Sequence, residues 1–361
     1  MEVKPIGDKI NGRLNRPLSS KSRSRSILPL PTSFVALRHF LHFNGGIYPR
    51  RRKRDGTLQF VSKRESEIKV KKEKQMRTKV KSYAKINLTL NITGTDGGFH
   101  NIESLVTTVD LFDTVTVNVK KRGGITLKMR GLGEDLPTET NNAYKAARLF
   151  SEEYKVDGGI EVEIFKRIPL AGGLGGSSAD AAGVLVALKK ATGICDDIKP
   201  LADRLGSDTG YMTEGGFAVI SGRGEKVRKI ETDMTLHFVL VYAETGVNTG
   251  ECYKRFDELG NGGVLTDTEK AVEALKNNDF DGLCKCVSNA LTIPASELND
   301  EVRRNLEEVK SLSPSACGMT GSGSTVFGIY ETEELCKWAI EKLKKKGLEC
   351  EYARSTDNKK Q

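Results

Sequence analysis

The stretch PLAGGLGGSSADAAG, Pro169 to Gly183, places five glycines and two serines between an apolar strand pattern and a run of alanines. Ahead of it, IEVEIFKRI (Ile160 to Ile168) alternates apolar and polar residues with the period of a half-buried strand. Behind it, DAAGVLVALKKA (Asp180 to Ala191) has helical composition and stops at Gly193. A strand, a glycine loop and a helix in this order aim free backbone N–H groups and the positive end of a helix dipole at whatever lies over the glycines. Ser177 is the expected N-cap, with Asp180 three residues on completing a capping-box-like pair. Gly172, Gly173, Gly175 and Gly176 have no Cβ, so an anion such as a phosphate chain can approach the main chain closely. The plain alternative is a glycine turn that serves only close packing. The loop has no Gly-Lys for a Walker-type phosphate site, and Ser178 stands where G-x-G-x-x-G needs its last glycine.

Outward from the loop, INLTLNI (Ile86 to Ile92) and TVTVNVK (Thr114 to Lys120) repeat the strand period. NNAYKAARLFSEEYK reads as an amphipathic helix between the second strand and the loop. Further on, HFVLVYA and STVFGIY read as strands, and EKAVEALKNN, NDEVRRNLEEVKSL and EELCKWAIEKLKKKG as helices. Strands and helices mix without regular βα alternation, which predicts an α+β protein with a division around residues 220–235.

The formal charge of +9 is unevenly placed. Residues 1–75 carry 19 Lys and Arg against 6 Asp and Glu, whereas the rest is mildly acidic. A basic arm of this kind predicts a disordered, dispensable extension, with plastid-type targeting the lesser alternative and RNA contact confined to the arm. The body is expected to begin near Met76. No apolar run is long enough to span a membrane, and the seven cysteines are irregularly spaced and odd in number. They are expected to be reduced thiols of a cytoplasm-like compartment, and Cys284-Lys285-Cys286 lacks the second pair a zinc site needs. No metal-ligating residue is assigned.

Three motifs in order carry a resemblance. PLAGGLGGSSADAA resembles the phosphate loop of the GHMP kinases, GMTGSGSTVFG (Gly318 to Gly328) their C-terminal glycine motif, and AKINLTLNI (Ala84 to Ile92) their N-terminal strand. The resemblance covers almost everything after Met76. It implies a two-domain α+β kinase, with an N-terminal domain (76–228) like the second domain of ribosomal protein S5 and a ferredoxin-like C-terminal domain (229–361). ATP would lie over Pro169, Leu170, Ala171, Gly172, Gly173, Leu174, Gly175, Gly176, Ser177, Ser178 and Ala179, with Mg²⁺ as its counter-ion. The form YAKINLTLNITGTDGGFHNIESL is similar to the family branch that phosphorylates a cytidine-diphosphate sugar alcohol of the non-mevalonate isoprenoid route.

That branch implies roles residue by residue. Asp208, in LGSDTGYMTEGG, would accept the substrate hydroxyl proton with Lys85 beside it. Lys85 and Asn87 stand two apart on a strand, so both should point away from the Ile86/Leu88 core face and over a cleft. Phe99 would stack on cytosine and His100 hydrogen-bond its edge, while Thr249 would lie near the substrate. Departures from the family pattern are Phe99 for tyrosine, Thr209-Gly210 for Val-Pro, Ala290 for aspartate after Asn289, and the shifted Ser177-Ser178-Ala179. These bear on substrate contact and on Mg²⁺. Competing expectations are a kinase of another alcohol and a non-catalytic S5-like RNA-binding protein; a monomer or a homodimer is expected.

Overall fold

The computed structural model describes residues 48–49, 60–61, 76–133, 138–260 and 263–357. Contacts divide the chain into two compact units, Met1–Ser66 and Glu67–Gln361. In the first, β1 (Tyr48–Pro49) pairs antiparallel with β2 (Phe60–Val61), a pairing that the sequence did not suggest. The expectation of a disordered arm otherwise lies outside the described residues.

The second unit opens with β3 (Met76–Asn87), β4 (Thr89–Asp96), β5 (Phe99–Lys120), β6 (Ile125–Gly131), α1 (Asn142–Tyr154), β7 (Gly159–Lys166) and α2 (Gly176–Thr192). There follow α3 (Lys199–Ala202), α4 (Thr209–Met212), β8 (Ala218–Gly222), β9 (Lys226–Lys229) and β10 (His237–Val241). Next are α5 (Thr249–Leu259), α6 (Thr268–Lys276), α7 (Phe280–Cys286), β11 (Ser288–Asn289), α8 (Thr292–Leu298) and α9 (Asp300–Lys310). The chain closes with β12 (Ala316–Met319), β13 (Val326–Tyr330), α10 (Glu333–Lys345) and β14 (Cys350–Thr356).

The strand β5 is the hub. Its run of Val and Thr favours extended backbone, and at 22 residues it is long enough to pair with β3, β4, β7, β8 and β14 at different heights. Where β3 crosses it, the register slips between Tyr83 and Ala84, whose partners are Phe112 and Val109. Such a bulge twists the strand and re-aims the side chains after it, and Lys85 is the next residue.

On one face of β5 and β7, Val115, Val117, Ile160 and Ile164 pack against Ala181, Val184, Leu185 and Leu188 of α2 and Phe150 of α1. Beyond β10, the antiparallel order β14-β10-β13-β12 packs Val239, Val241 and Val326 on Val302 and Leu306 of α9 and on Ala339 and Leu343 of α10. A third cluster joins the halves: Ala84, Ile86 and Leu88 meet Phe238, Leu240, Phe327 and Ile329. The strand β14 pairs with β10 and, through Ser355 and Thr356, with β5, so the two halves share one hydrogen-bonded sheet. The hairpin β8–β9 pairs through Lys229 and belongs wholly to the first half, so a division after residue 228 cuts off its last rung.

The stretch INLTLNI departs from its expected half-burial. All seven residues are buried, and the strand breaks at Leu88 between β3 and β4. Thr89 Oγ1 accepts the Leu105 amide at 2.8 Å, and Asn91 Oδ1 accepts the Leu265 amide at 2.9 Å. Period two is real, but the second face is covered by protein rather than by water.

The halves come close at Gly173, whose φ is +74° and where a Cβ would lie 2.1 Å from the carbonyl oxygen of Thr320. Gly193 has a similar φ of +71° but open space around it. Gly173→Ala should therefore destabilise by about 2–4 kcal/mol, adding overpacking to left-handed strain, and Gly193→Ala by only about 1 kcal/mol. Urea denaturation of both variants checks the difference; equal effects would mean that the contact yields.

Candidate active site

A cavity of about 640 Å³ lies where α2 begins. Its walls include every residue from Pro169 to Ser178, and with them Lys85, Asn87, Asp208, Thr249 and Ser322. Ala179 is the exception in the predicted loop: it is 1% exposed and packs into the core behind the cavity.

Ser177 does not cap the helix. The N-cap is Gly175, at φ 72° and ψ 19°, and no side chain accepts a first-turn amide. Instead Ser177 Oγ accepts a hydrogen bond of 3.0 Å from Asn142 Nδ2. Asp180 accepts instead from Lys166 Nζ at 2.8 Å. A helix start without a side-chain acceptor leaves its amides for solvent or a ligand, and here they border a cavity. The glycines also have protein contacts: a Cβ on Gly175 would lie 2.5 Å from Met212 Cε and 3.1 Å from Lys85 Cγ, and one on Gly172 would lie 2.7 Å from Thr325 Oγ1. Close packing and an open anion cradle are thus both features of the same loop.

Lys85 and Asp208 are brought together from residues 123 positions apart in sequence. Their Nζ and Oδ2 atoms are 3.7 Å apart, with the lysine side chain 6% and the aspartate 25% exposed. The Lys85 amide donates to the Leu174 carbonyl at 2.9 Å, which fastens β3 to the glycine loop. Burial pushes the Lys85 ammonium below the usual lysine range, and Asp208 offsets part of that shift. Asp208 precedes the first residue of α4 without capping it, so its carboxylate is free to face the cavity. After it, Gly210 lies close to Asp203: a Cβ there would come 2.1 Å from the Oδ1 end of that side chain.

Asn87 borders the cavity, but its amide is already engaged. Oδ1 accepts from Lys85 Nζ at 2.5 Å, from the Gly321 amide at 2.9 Å and from Thr320 Oγ1 at 3.2 Å, and Nδ2 donates to Ser104 Oγ at 2.8 Å. The side chain expected to touch substrate borders the cavity and also ties Lys85 to the C-terminal glycine motif. Asn289 holds that motif from its other side, donating to the carbonyls of Met319 and Gly321 at 2.7 and 2.8 Å. Thr249 Oγ1 meets Ser322 Oγ at 2.9 Å on the cavity wall.

The aromatic pair is placed differently from the loop. Phe99 is 52% exposed, and Arg223 Cζ lies 3.7 Å from its ring centroid. His100 Nε2 is 2.7 Å from Asp257 Oδ1, and its ring stacks on Tyr253 at 4.7 Å. The cavity is lined by Arg223 and Tyr253, the partners, rather than by Phe99 and His100 themselves. Both come to the site through a turn and a helix that the fold brings near the β4–β5 hairpin; Tyr253 closes the stretch TGVNTGECY (Thr245 to Tyr253), which also holds Thr249. Among the described residues no cluster of three His, Cys, Asp or Glu could hold a metal, all seven cysteines are free, and no helix is long and apolar enough to cross a membrane.

Comparison with known proteins decides the family. The model of the GHMP kinases N terminal domain matches residues 141–223, and that of the GHMP kinases C terminal matches residues 271–348. The chain is 34% identical over 275 residues to a 4-diphosphocytidyl-2-C-methyl-D-erythritol kinase of Clostridium tetani, spanning 74% of this chain and 96% of the relative. This chain belongs to the GHMP kinases. The corresponding protein of Bacillus cytotoxicus is 34% identical over 260 residues, spanning 70% of this chain and 88% of that one. A crystal structure of a 4-(cytidine 5'-diphospho)-2C-methyl-D-erythritol kinase superposes with a TM-score of 0.65 at 28% identity, covering 77% of this chain and 99% of the other. Homoserine kinase from Cytophaga hutchinsonii, at 19% identity and a TM-score of 0.60 with 79% and 96% coverage, shares the fold.

Removing the Asn87 amide strips partners from Lys85, the Gly321 amide and Ser104 together. Asn87→Ala should cost about 2–4 kcal/mol, the penalty of leaving buried donors unsatisfied. Thermal and urea unfolding check it; a loss under about 0.5 kcal/mol, the size of a plain surface substitution, would show that water replaces the amide.

Proposed function

We propose that this chain is an ATP-dependent kinase that phosphorylates the 2-hydroxyl of 4-diphosphocytidyl-2-C-methyl-D-erythritol, a step of the non-mevalonate isoprenoid route. The observation that carries the reading is the shared cavity: an uncapped helix start at Gly176 and the Lys85–Asp208 pair border one space. Curated relatives at 34% identity bear the name of this kinase, which supports the choice of substrate. The domain division belongs to the same proposal, with an N-terminal domain from Met76 through β9 and a C-terminal domain after it.

The triphosphate takes the loop Pro169–Ser178, where the amides of the first turn of α2 and the helix dipole receive negative charge. Asp208 accepts the proton of the attacking hydroxyl. Lys85, 3.7 Å from it, balances negative charge that builds on the transferring group. Little else is asked of the protein, because phosphoryl transfer depends mainly on positioning and electrostatics. Asn87 fixes the ammonium from the cavity wall, beside the acceptor. Phe99 and His100, with Tyr253 and Arg223 beside them, form the side of the site that takes the cytosine, and Thr249, near the substrate, meets Ser322 on the cavity wall.

The site fits Mg²⁺. This ion keeps several waters and needs only one or two carboxylates besides phosphate oxygens. Asp180, on the cavity wall, keeps Oδ1 without a hydrogen-bond partner, and Asp208 is partly exposed there. These two would hold the ion, which supplies charge neutralisation between the phosphates.

Purified protein given Mg-ATP should release ADP with diphosphocytidyl-methylerythritol and not with mevalonate, homoserine or galactose; turnover of one of those alone would keep the kinase and discard the substrate. Asp208→Asn should lower turnover by about 10²–10⁴-fold, the range of a general base, with ATP affinity and unfolding midpoint nearly unchanged. Because burial lowers the Lys85 value, turnover should fall with rising pH before the ordinary lysine value of about 10.4, as the ammonium loses its proton. An alkaline limb at or above that value would remove Lys85 from the charged role.

A further inference from the structure

The glycine loop lacks a lysine of its own, yet a buried lysine sits directly beneath it. Lys166, the last residue of β7, is 3% exposed, and a Cβ on Gly176 would lie 3.2 Å from its Nζ. The ammonium points to two carboxylates: Asp113 Oδ2 at 2.5 Å and Asp180 Oδ2 at 2.8 Å. Asp113 belongs to β5 and is fully buried; Asp180 stands in the second turn of α2. The other oxygen of Asp113 accepts the amides of Arg167 at 2.6 Å and Ile168 at 2.8 Å, the two residues that lead into the loop.

One carboxylate on the hub strand therefore reaches both ends of the loop. It holds the entry through two main-chain amides and the exit through Lys166 and Asp180. A lysine buried between two carboxyl groups is weak evidence for stability, since desolvation offsets most of the attraction and apolar replacements are often as stable. What such a network supplies is fixed geometry. The loop between its ends contains four glycines, which lose much backbone freedom on ordering. Anchors at both ends limit that freedom before any ligand arrives, which lowers the ordering cost of binding.

We infer that Asp113 and Lys166 are positioning residues that preset the phosphate loop for its nucleotide by clamping its two ends to β5. The inference rests on the proposal that this loop takes ATP. The clamp acts on the nucleotide side of the cavity and leaves the Lys85–Asp208 pair and the acceptor side untouched.

Asp113→Asn is the cleanest cut, because its remaining oxygen still accepts the two amides while its new NH₂ cannot accept from Lys166. Kinetics with both substrates varied, and calorimetric titration with Mg-ADP, should show KM for ATP and Kd for ADP raised about tenfold or more, on the scale that small misplacements produce. KM for the acceptor should stay within about twofold. A merely structural role would instead lower the unfolding midpoint and the active fraction while leaving KM for ATP where it was, and that result would overturn the clamp. Wild-type hydrogen exchange gives a second test that needs no folded variant. In the nucleotide-free protein the amides of Arg167 and Ile168 should be protected like those of β7; exchange as fast as that of Gly172 and Gly173 would overturn it. Failure of the wild type to bind Mg-ADP would remove the ATP reading and the clamp with it, whereas normal binding by both proteins would remove the clamp alone.

Discussion

Backbone meets backbone where Gly173 lies against Thr320, and the rest of the site depends on that approach. A side chain at Gly173 would need the space now filled by the Thr320 carbonyl, 2.1 Å from where a Cβ would begin. The contact brings the loop of the first half against the glycine motif of the second. Asn87 then spans the seam, joining Lys85 to the Gly321 amide and Thr320. The Leu174 carbonyl accepts the Lys85 amide in the same place. The loop, Lys85 and a motif more than 230 positions away from it in sequence are in this way held together around the cavity.

Burial sets the chemistry of that seam. Lys85 is nearly removed from water, which disfavours its charge, and it stays usable because Asp208 and the Asn87 oxygen lie close by. In a low-dielectric site such a cation interacts strongly with nearby negative charge and needs little reorganisation when that charge develops. Lys166 shows the other use of a buried lysine: its charge is spent on two carboxylates and orders backbone. Two lysines on one cavity thus serve different ends, distinguished by how many acids they face.

Local patterns were legible in the sequence. The strand, the glycine loop and the helix ending at Gly193 follow one another as their composition implies, and Lys85 and Asp208 stand together as the motifs suggested. The misreadings share a cause. Ser177 has the chemistry of a cap, but the helix begins at Gly176, so the cap is a glycine and the serine bonds Asn142. Alternation in INLTLNI predicts a wet face, but tertiary structure covers both faces and turns Asn87 inward. Tyr253 closes the stretch that carries Thr249, but its place beside His100, like that of Arg223 beside Phe99, exists only after α5 and the β8–β9 turn close on the β4–β5 hairpin. Spacing reveals what neighbours in sequence do; it does not reveal what covers them.

The most direct measurement is a crystal structure of the protein with a non-hydrolysable ATP analogue, Mg²⁺ and the cytidine substrate bound together. The account predicts the phosphates on the amides of the first turn of α2, the acceptor hydroxyl within about 3 Å of Asp208, and the cytosine between the β4–β5 hairpin and α5. Phosphates bound away from the loop, or an acceptor hydroxyl remote from both Lys85 and Asp208, would contradict it.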